Sequence, residues 1–288
     1  MKRPVFILLF MLLATPCLIA EGTRGTEAII RSILEGEPVG EKKEIAPKAS
    51  PPSAPGLPRS PAKDAGPDRA AQAPGPDEVL LKTGIQLYNA AMNRAALAKF
   101  DELKSRFPES PYRDSAAIWA GKIHMGADRP NEAIREFSSI AEDSGEYPMA
   151  LYSIGEARYK SGNLPGAIES FMAISSRFPD HERSDDALLF LGTIYLNAGK
   201  GAQALETAIN IIRYYPDRET VDDAYYLMAK VFEKDATLRD METARRVYRA
   251  FLKRAEDEGS PHFRNSPLKA RVERDLRYIE STYFKTGN

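Results

Sequence analysis

Small and large apolar residues recur along the second part of the chain at nearly fixed intervals. Gly84, Gly121, Gly155 and Gly192 are each followed twelve residues later by an alanine, at Ala96, Ala133, Ala167 and Ala204. Four residues further on stand Phe100, Phe137 and Phe171, with Ala208 in the fourth unit. Twenty-four residues after each glycine come Pro108, Gly145, Pro179 and Pro216. A fifth unit has Ala229 at the glycine position and needs about three extra residues before Ala244, Tyr248 and Phe251 fill the later ones. The units are spaced 37, 34, 37 and 37 residues apart. This pattern predicts helical hairpins. A glycine or alanine lets two helices approach closely. The Ala and Phe positions share one face of the second helix and pack back on the first. Each hairpin keeps an exposed apolar side that it buries only by stacking on the next.

The prolines agree with this division. From residue 77 onward they stand at 108, 111, 130, 148, 165, 179, 216, 261 and 267, all at predicted helix ends or within a first turn, where the missing N–H costs least. Ser110, Ser184 and Thr220 are expected to cap the helices that follow them. Repeats are therefore expected near 77–110, 111–147, 148–181, 182–218 and 219–256. A last helix over 264–284 turns Leu268, Val272, Leu276, Ile279 and Tyr283 to one side and Lys269, Arg271, Glu273, Arg274 and Arg277 to the other. That is the pattern of a solenoid cap.

The first 76 residues read differently. Residues 21–76 hold none of the chain's Phe, Trp or Tyr and cannot build an ordinary core. Residues 1–20 begin with Lys2 and Arg3, continue through the apolar run Val5–Ala14, and end at Ala20, the layout of a cleavable secretory signal. Cys17, the one cysteine, stands where a lipid-modified cysteine would follow a signal, but Pro16 precedes it where a small residue is usual; otherwise it is signal filler and is removed. In 21–37, Ile29, Ile30, Ile33 and Leu34 fall on one helical face. This stretch is either a short docking or self-association helix or a partly ordered terminus, since so short a helix is marginal alone. Residues 38–76 carry ten prolines and read as a disordered Pro/Ala-rich linker. Its reach runs from roughly 35 Å as a coil to about 120 Å as extended polyproline.

The Gly/Ala/Phe/Pro register resembles the tetratricopeptide repeat. The resemblance implies an all-α fold, a right-handed superhelical solenoid of about five helical hairpins with a C-terminal capping helix, behind the Pro-rich linker. The joints Arg106-Phe-Pro-Glu-Ser-Pro-Tyr112, Arg177-Phe-Pro-Asp-His181 and Tyr214-Tyr-Pro-Asp-Arg218 look like those of bacterial periplasmic repeat proteins. Two kinds are similar: the Tol-Pal accessory protein of cell division and the outer-membrane assembly lipoprotein. The resemblance implies an exported, non-catalytic scaffold that holds a protein or peptide partner of the cell envelope in a concave groove, in envelope organisation or cell division. The alternative is a membrane-attached subunit of an outer-membrane protein assembly complex. Membrane contact is then expected only through the N-terminus. In the family the first helix of each hairpin lines the groove. Carried over, the groove residues are Leu81, Ile85, Tyr88 and Asn89; Ile118, Lys122 and Met125; Tyr152, Glu156, Tyr159 and Lys160; Leu189, Thr193, Leu196 and Asn197; and Tyr226, Lys230 and Glu233.

Composition and candidate chemistry point away from catalysis. The net charge of −1 lacks the basic excess of a nucleic-acid binder. His124, His181 and His262 fall in different units with no Cys or carboxylate at metal-ligand spacing. His124 is expected partly buried between helices, the other two exposed in joints. Asp185-Asp186 and Asp222-Asp223 suit helix N-termini, whose dipole they complement. No phosphate loop or nucleophile motif is present. No cofactor, metal or small-molecule substrate is expected. The 12 Lys and Arg against 8 Asp and Glu over 239–288 read as a solvated helical face.

Overall fold

The computed structural model describes residues 28–35 and 74–284. The signal expected over 1–20 lies outside the described residues, as does nearly all of the linker. A short helix α1 spans 28–35. The hairpins follow as α2 (Pro76–Asn89) with α3 (Asn93–Arg106), α4 (Arg113–Gly126) with α5 (Pro130–Phe137), and α6 (Tyr147–Lys160) with α7 (Leu164–Arg177). Next come α8 (Ser184–Asn197) with α9 (Gly201–Tyr214), and α10 (Val221–Lys234) with α11 (Met241–Glu256). The single turn α12 (Pro261–Arg264) leads to the cap α13 (Lys269–Tyr283). Each helix packs mainly on the next in sequence, and α13 packs on α11. The described residues form an all-helical stack of hairpins.

The periodic residues form the spine. Ala96, Ala133, Ala167, Ala204 and Ala244 have no exposed surface, nor do Phe100, Phe171, Ala208 and Tyr248. A Cβ added to Gly155 would stand 2.6 Å from Cε1 of Phe171, and the same clash would meet Phe100 at Gly84 and Phe137 at Gly121. In the fourth unit Ala208 leaves space, and Gly192 faces Thr207 and Leu227 instead. The glycines are thus the floor on which each aromatic ring lies.

The turn inside each hairpin also repeats. Ala91, Asp128, Gly162 and Gly199 occupy one register and all have positive φ, between 57° and 80°. Two units use glycine where the left-handed region is free of Cβ strain, and two do not. The fifth unit replaces this turn with a longer one. Its organiser is Asp235, whose carboxylate accepts from the amides of Thr237, Leu238 and, in the preceding unit, Gly201, each at 3.0 Å. This accounts for the extra residues before Ala244.

The joints end on the residue before proline. Phe107, Phe178 and Tyr215 leave helical geometry with φ near −130°, because the following ring disfavours a helical residue before it. The second unit lacks the Phe-Pro joint, and its α5 has 8 residues where α3, α7 and α9 have 14. This is where the 34-residue spacing arises.

Three local expectations are corrected. Ser110, Ser184 and Thr220 make no side-chain cap to a helix N-terminus. Their hydroxyls donate elsewhere: Ser110 to Asp77 at 2.7 Å, Ser184 to the carbonyl of Phe178, and Thr220 to buried Asp185 at 2.8 Å. The hydroxyls of Ser110 and Thr220 therefore tie neighbouring hairpins together. On the cap, Val272, Leu276 and Ile279 are buried, but Tyr283 is 44% exposed and accepts a bond from Arg239 at its hydroxyl. His181 and His262 are half-buried in their joints, with Nδ1 of His181 accepting from the Arg183 amide and Nε2 of His262 lying 3.1 Å from the Asp217 carbonyl. His124 is half-buried as expected; its Nδ1 is buried without a partner, and burial lowers its pKa.

Thermal unfolding of three variants checks the glycine reading. Gly121→Ala should lose about 1–3 kcal/mol through overpacking against Phe137. Ala91→Gly should gain about 0.5–1 kcal/mol by relieving left-handed strain. Gly126→Ala, where nothing lies within 4 Å of the added carbon, should change Tm by no more than a few degrees. Equal losses at Gly121 and Gly126 would contradict the account.

Candidate functional site

The first helices of successive hairpins lie side by side, and their side chains form a connected row. Tyr88 of α2 packs on Trp119 of α4 with ring centroids 5.1 Å apart, and the Lys122 ammonium lies 4.7 Å from the Trp119 ring. Lys160 of α6 reaches back to the Met125 carbonyl and to Asp128, both at 3.0 Å. Tyr159 and Tyr152 of α6 meet Phe190 of α8 at 5.6 and 6.2 Å. Phe190 in turn stacks on Phe171 of the α7 spine at 4.9 Å.

Between α8 and α10 the row opens into a cavity of about 270 Å³. Leu189, Thr193 and Leu196 form one wall; Asp223, Tyr226, Lys230 and Lys234 form the other. The row ends at the cap, where Asp275 of α13 accepts from the Tyr226 hydroxyl at 3.1 Å and lies 3.5 Å from the Lys230 ammonium. Glu233 closes this network, accepting from Lys230 at 2.7 Å and from the Tyr248 hydroxyl at 2.8 Å.

The expected groove residues divide by depth. Leu81, Ile118 and Tyr152 are buried and belong to the hairpin core. Ile85 and Met125 are half-buried against it. Tyr226, Lys230 and Glu233 are half-buried and tied to the cap network. Asn89, Lys122, Tyr159, Lys160 and Asn197 are exposed along the row, with Tyr88, Glu156, Leu189, Thr193 and Leu196 half-buried between them. Trp119, Phe190 and Asp275 also belong to the row and escaped the sequence reading; Asp186 and Asp223, expected only as acids at helix N-termini, lie on it too. Extending each helical face one turn toward its start reaches Asp186 from Leu189 and Asp223 from Tyr226. Phe190 gave no such signal, because its place depends on its contact with Phe171.

Acidic groups on the row are held in a strained electrostatic setting. Burial pushes the Glu156 carboxyl above its usual range, although the Tyr152 hydroxyl bonds to it. Burial likewise raises Asp186, against the stabilising contact of Arg183 at 3.0 Å. Asp223 is pushed up to about 6 by burial and then by the charges of Asp222 and Asp186. Among the described residues no group of His, Cys, Asp and Glu could hold a metal ion, and no helix is long and apolar enough to cross a membrane. The row offers contact surface: rings, short aliphatic chains, amides and a few charges.

The comparisons agree with this architecture. Residues 144–281 match the family model described as an outer membrane lipoprotein, YfiO, and residues 78–110 match a tetratricopeptide repeat model. Both families are non-catalytic scaffolds. The crystal structure of MamA protein superposes with a TM-score of 0.53 at 19% identity, covering 63% of this chain and 95% of that one. A tetratricopeptide repeat protein from Parabacteroides merdae ATCC 43184 gives 0.53 at 15% identity, covering 71% and 79%. These likenesses show the fold. No curated protein matches the chain.

The raised Asp223 pKa has a pH consequence. A carboxyl whose folded pKa lies above its unfolded value contributes stability below about pH 4, and this is lost as pH rises through about 6. Asp223→Asn should therefore stabilise the fold relative to the parent at pH 8, by on the order of 1 kcal/mol after solvent screening, and raise Tm accordingly. It should give no gain at pH 4. A gain of equal size at both pH values in paired melting curves would refute the electrostatic origin.

Proposed function

We propose that this tetratricopeptide-repeat protein is a membrane-attached scaffold of the bacterial cell envelope, acting as a subunit of an outer-membrane protein assembly complex. The match of residues 144–281 to the outer membrane lipoprotein family carries this reading. It spans the third to fifth hairpins and most of the cap, and so takes in the continuous core of the fourth and fifth hairpins. It favours attachment over a freely diffusing exported chain. Cys17, behind the apolar run Val5–Ala14, is the residue available for lipid attachment. The division-accessory reading has less support: the described part of α1, 28–35, lies against the last repeats, where a coiled-coil oligomer would need a free helix.

The partner is a protein segment held along the row of first helices. Aromatic anchors flanked by aliphatic and amide groups suit an extended peptide or a helix, which presents side chains at matching intervals. Tyr159, Lys122 and Asn197 are the exposed groups that contact it first.

Two measurements in cells test the reading. Metabolic labelling with palmitate should mark the parent chain and not Cys17→Ala, and the parent should sediment with outer membranes. An unlabelled, freely soluble parent would overturn attachment. Photo-crosslinking residues placed at Tyr159 and Asn197 should capture an envelope protein, while one at exposed Gln203 on α9 should not. Adducts at Gln203 alone would overturn the row as the contact surface.

A further inference from the structure

The short helix α1 packs on a second face of the solenoid, separate from the row of first helices. It lies about 190 residues away in sequence from the helices it touches. Ile30 and Ile33 are buried in the core of the last repeats, with Ile29 and Leu34 packed around them. Tyr225 and Tyr226 are neighbours on α10 and point about 100° apart. Tyr226 serves the cap network, whereas the Tyr225 hydroxyl lies 3.5 Å from the Ile33 carbonyl.

The seat also holds the backbone of α1, at the Ile33 carbonyl. The Arg254 guanidinium donates to it at 3.1 Å. Arg254 is held for this task between two rings, 4.7 Å from Tyr225 and 5.9 Å from Phe263, and those rings meet edge to face.

The seat is also larger than its occupant. Beyond Ile33 a cavity of about 640 Å³ continues between α9, α10 and the 259–263 segment. Its walls carry Arg213, Arg254 and His262 against the single acid Asp217. Nε of Arg213 is buried there without an acceptor. Apolar Ile212 and Val221 complete the wall beside Ile33.

We infer that this face is a docking seat for a short amphipathic helix. Its ligand carries two branched aliphatic residues three apart and an acidic residue just after the second. The chain's own residues 28–35 fill it in the resting state, and a partner helix of that chemistry displaces them. The positive wall selects the acidic residue, and the unfilled volume leaves a longer partner helix more to bury than α1 does. Among the described residues α1 holds to this face through four aliphatic side chains, Ile29, Ile30, Ile33 and Leu34, and the two contacts of the Ile33 carbonyl. Docking of α1 is therefore weak enough to be exchanged.

A synthetic peptide of residues 24–37, acetylated, amidated and fluorescently labelled, tests this by polarisation against the full chain. Ile30→Asp/Ile33→Asp releases α1 and should bind the peptide at least tenfold more tightly than the parent. Adding Arg254→Ala should weaken that binding by fivefold or more. A peptide with Glu35→Gln and Glu37→Gln should bind the released variant less well than the parent peptide. Melting curves confirm that the variants stay folded, and Arg254→Lys, which keeps the charge, should restore part of the affinity if Arg254→Ala alone is unstable. Equal binding to parent and released chain, or none to either, would overturn the proposal. A concentration-dependent dimer of the parent that Ile33→Asp dissolves would overturn it in favour of exchange between copies. These readouts use no envelope partner, so they are independent of the function proposed above.

Discussion

The structure depends on an aromatic ring lying on a helix that has no Cβ at the point of contact. Phe100, Phe137 and Phe171 each take that place against Gly84, Gly121 and Gly155. The missing carbon sets how closely the two helices of a hairpin approach, and the ring supplies the burial that holds them there. Everything outward from this contact follows. The second helix is fixed in rotation, so its alanine faces the first. The joint then leaves at a set angle, and the next hairpin meets an apolar side of fixed shape. Where the ring is replaced by Ala208, a neighbour from the following unit fills the gap through Leu227. The fourth and fifth hairpins are consequently fused into one core that also takes in α12, α13 and α1.

Polar groups then set the register between units. Thr220 with Asp185, Gly201 with Asp235, and the Tyr215 hydroxyl with the Pro179 carbonyl at 2.8 Å all join neighbouring hairpins. Such bonds add little net stability each, but a mismatched stack would leave these groups buried without partners. They therefore favour one stacking geometry. That geometry aligns the first helices and gives the row of Tyr88, Trp119, Tyr159 and Phe190 its continuity. The same stacking buries Glu156, Asp186 and Asp223, which is the main reason their carboxyls are raised, and the Asp186 charge adds to the effect at Asp223.

Much of this was legible in the residues. The Gly, Ala and Phe positions located five hairpins because close packing leaves few residue types admissible at each. The prolines marked joints because they can end a helix but not continue one. The row was legible in part: the family resemblance pointed to Leu189, Thr193, Leu196, Tyr226 and Lys230, which share one cavity. It overreached at Leu81, Ile118 and Tyr152, since a helical face does not say how deep a neighbour covers it. It missed Trp119 and Phe190, whose place depends on residues 31 and 19 positions away. The hydroxyls of Ser110 and Thr220 had the local look of caps, and only the stacked partner shows where they donate. For α1, periodicity gave the apolar face but not its seat, because Arg254 and Tyr225 are distant in sequence.

Amide hydrogen exchange followed by mass spectrometry on Phe171→Ala tests the dependence on the glycine-seated ring most directly. Removing this ring should cost about 3–5 kcal/mol locally. In a stack held by neighbour contacts, protection should fall most in α6, α7 and α8, less in α4, α5 and α9, and remain near the parent level in α11 and α13. Uniform loss across all helices, or unchanged protection in α6 and α7, would contradict the account.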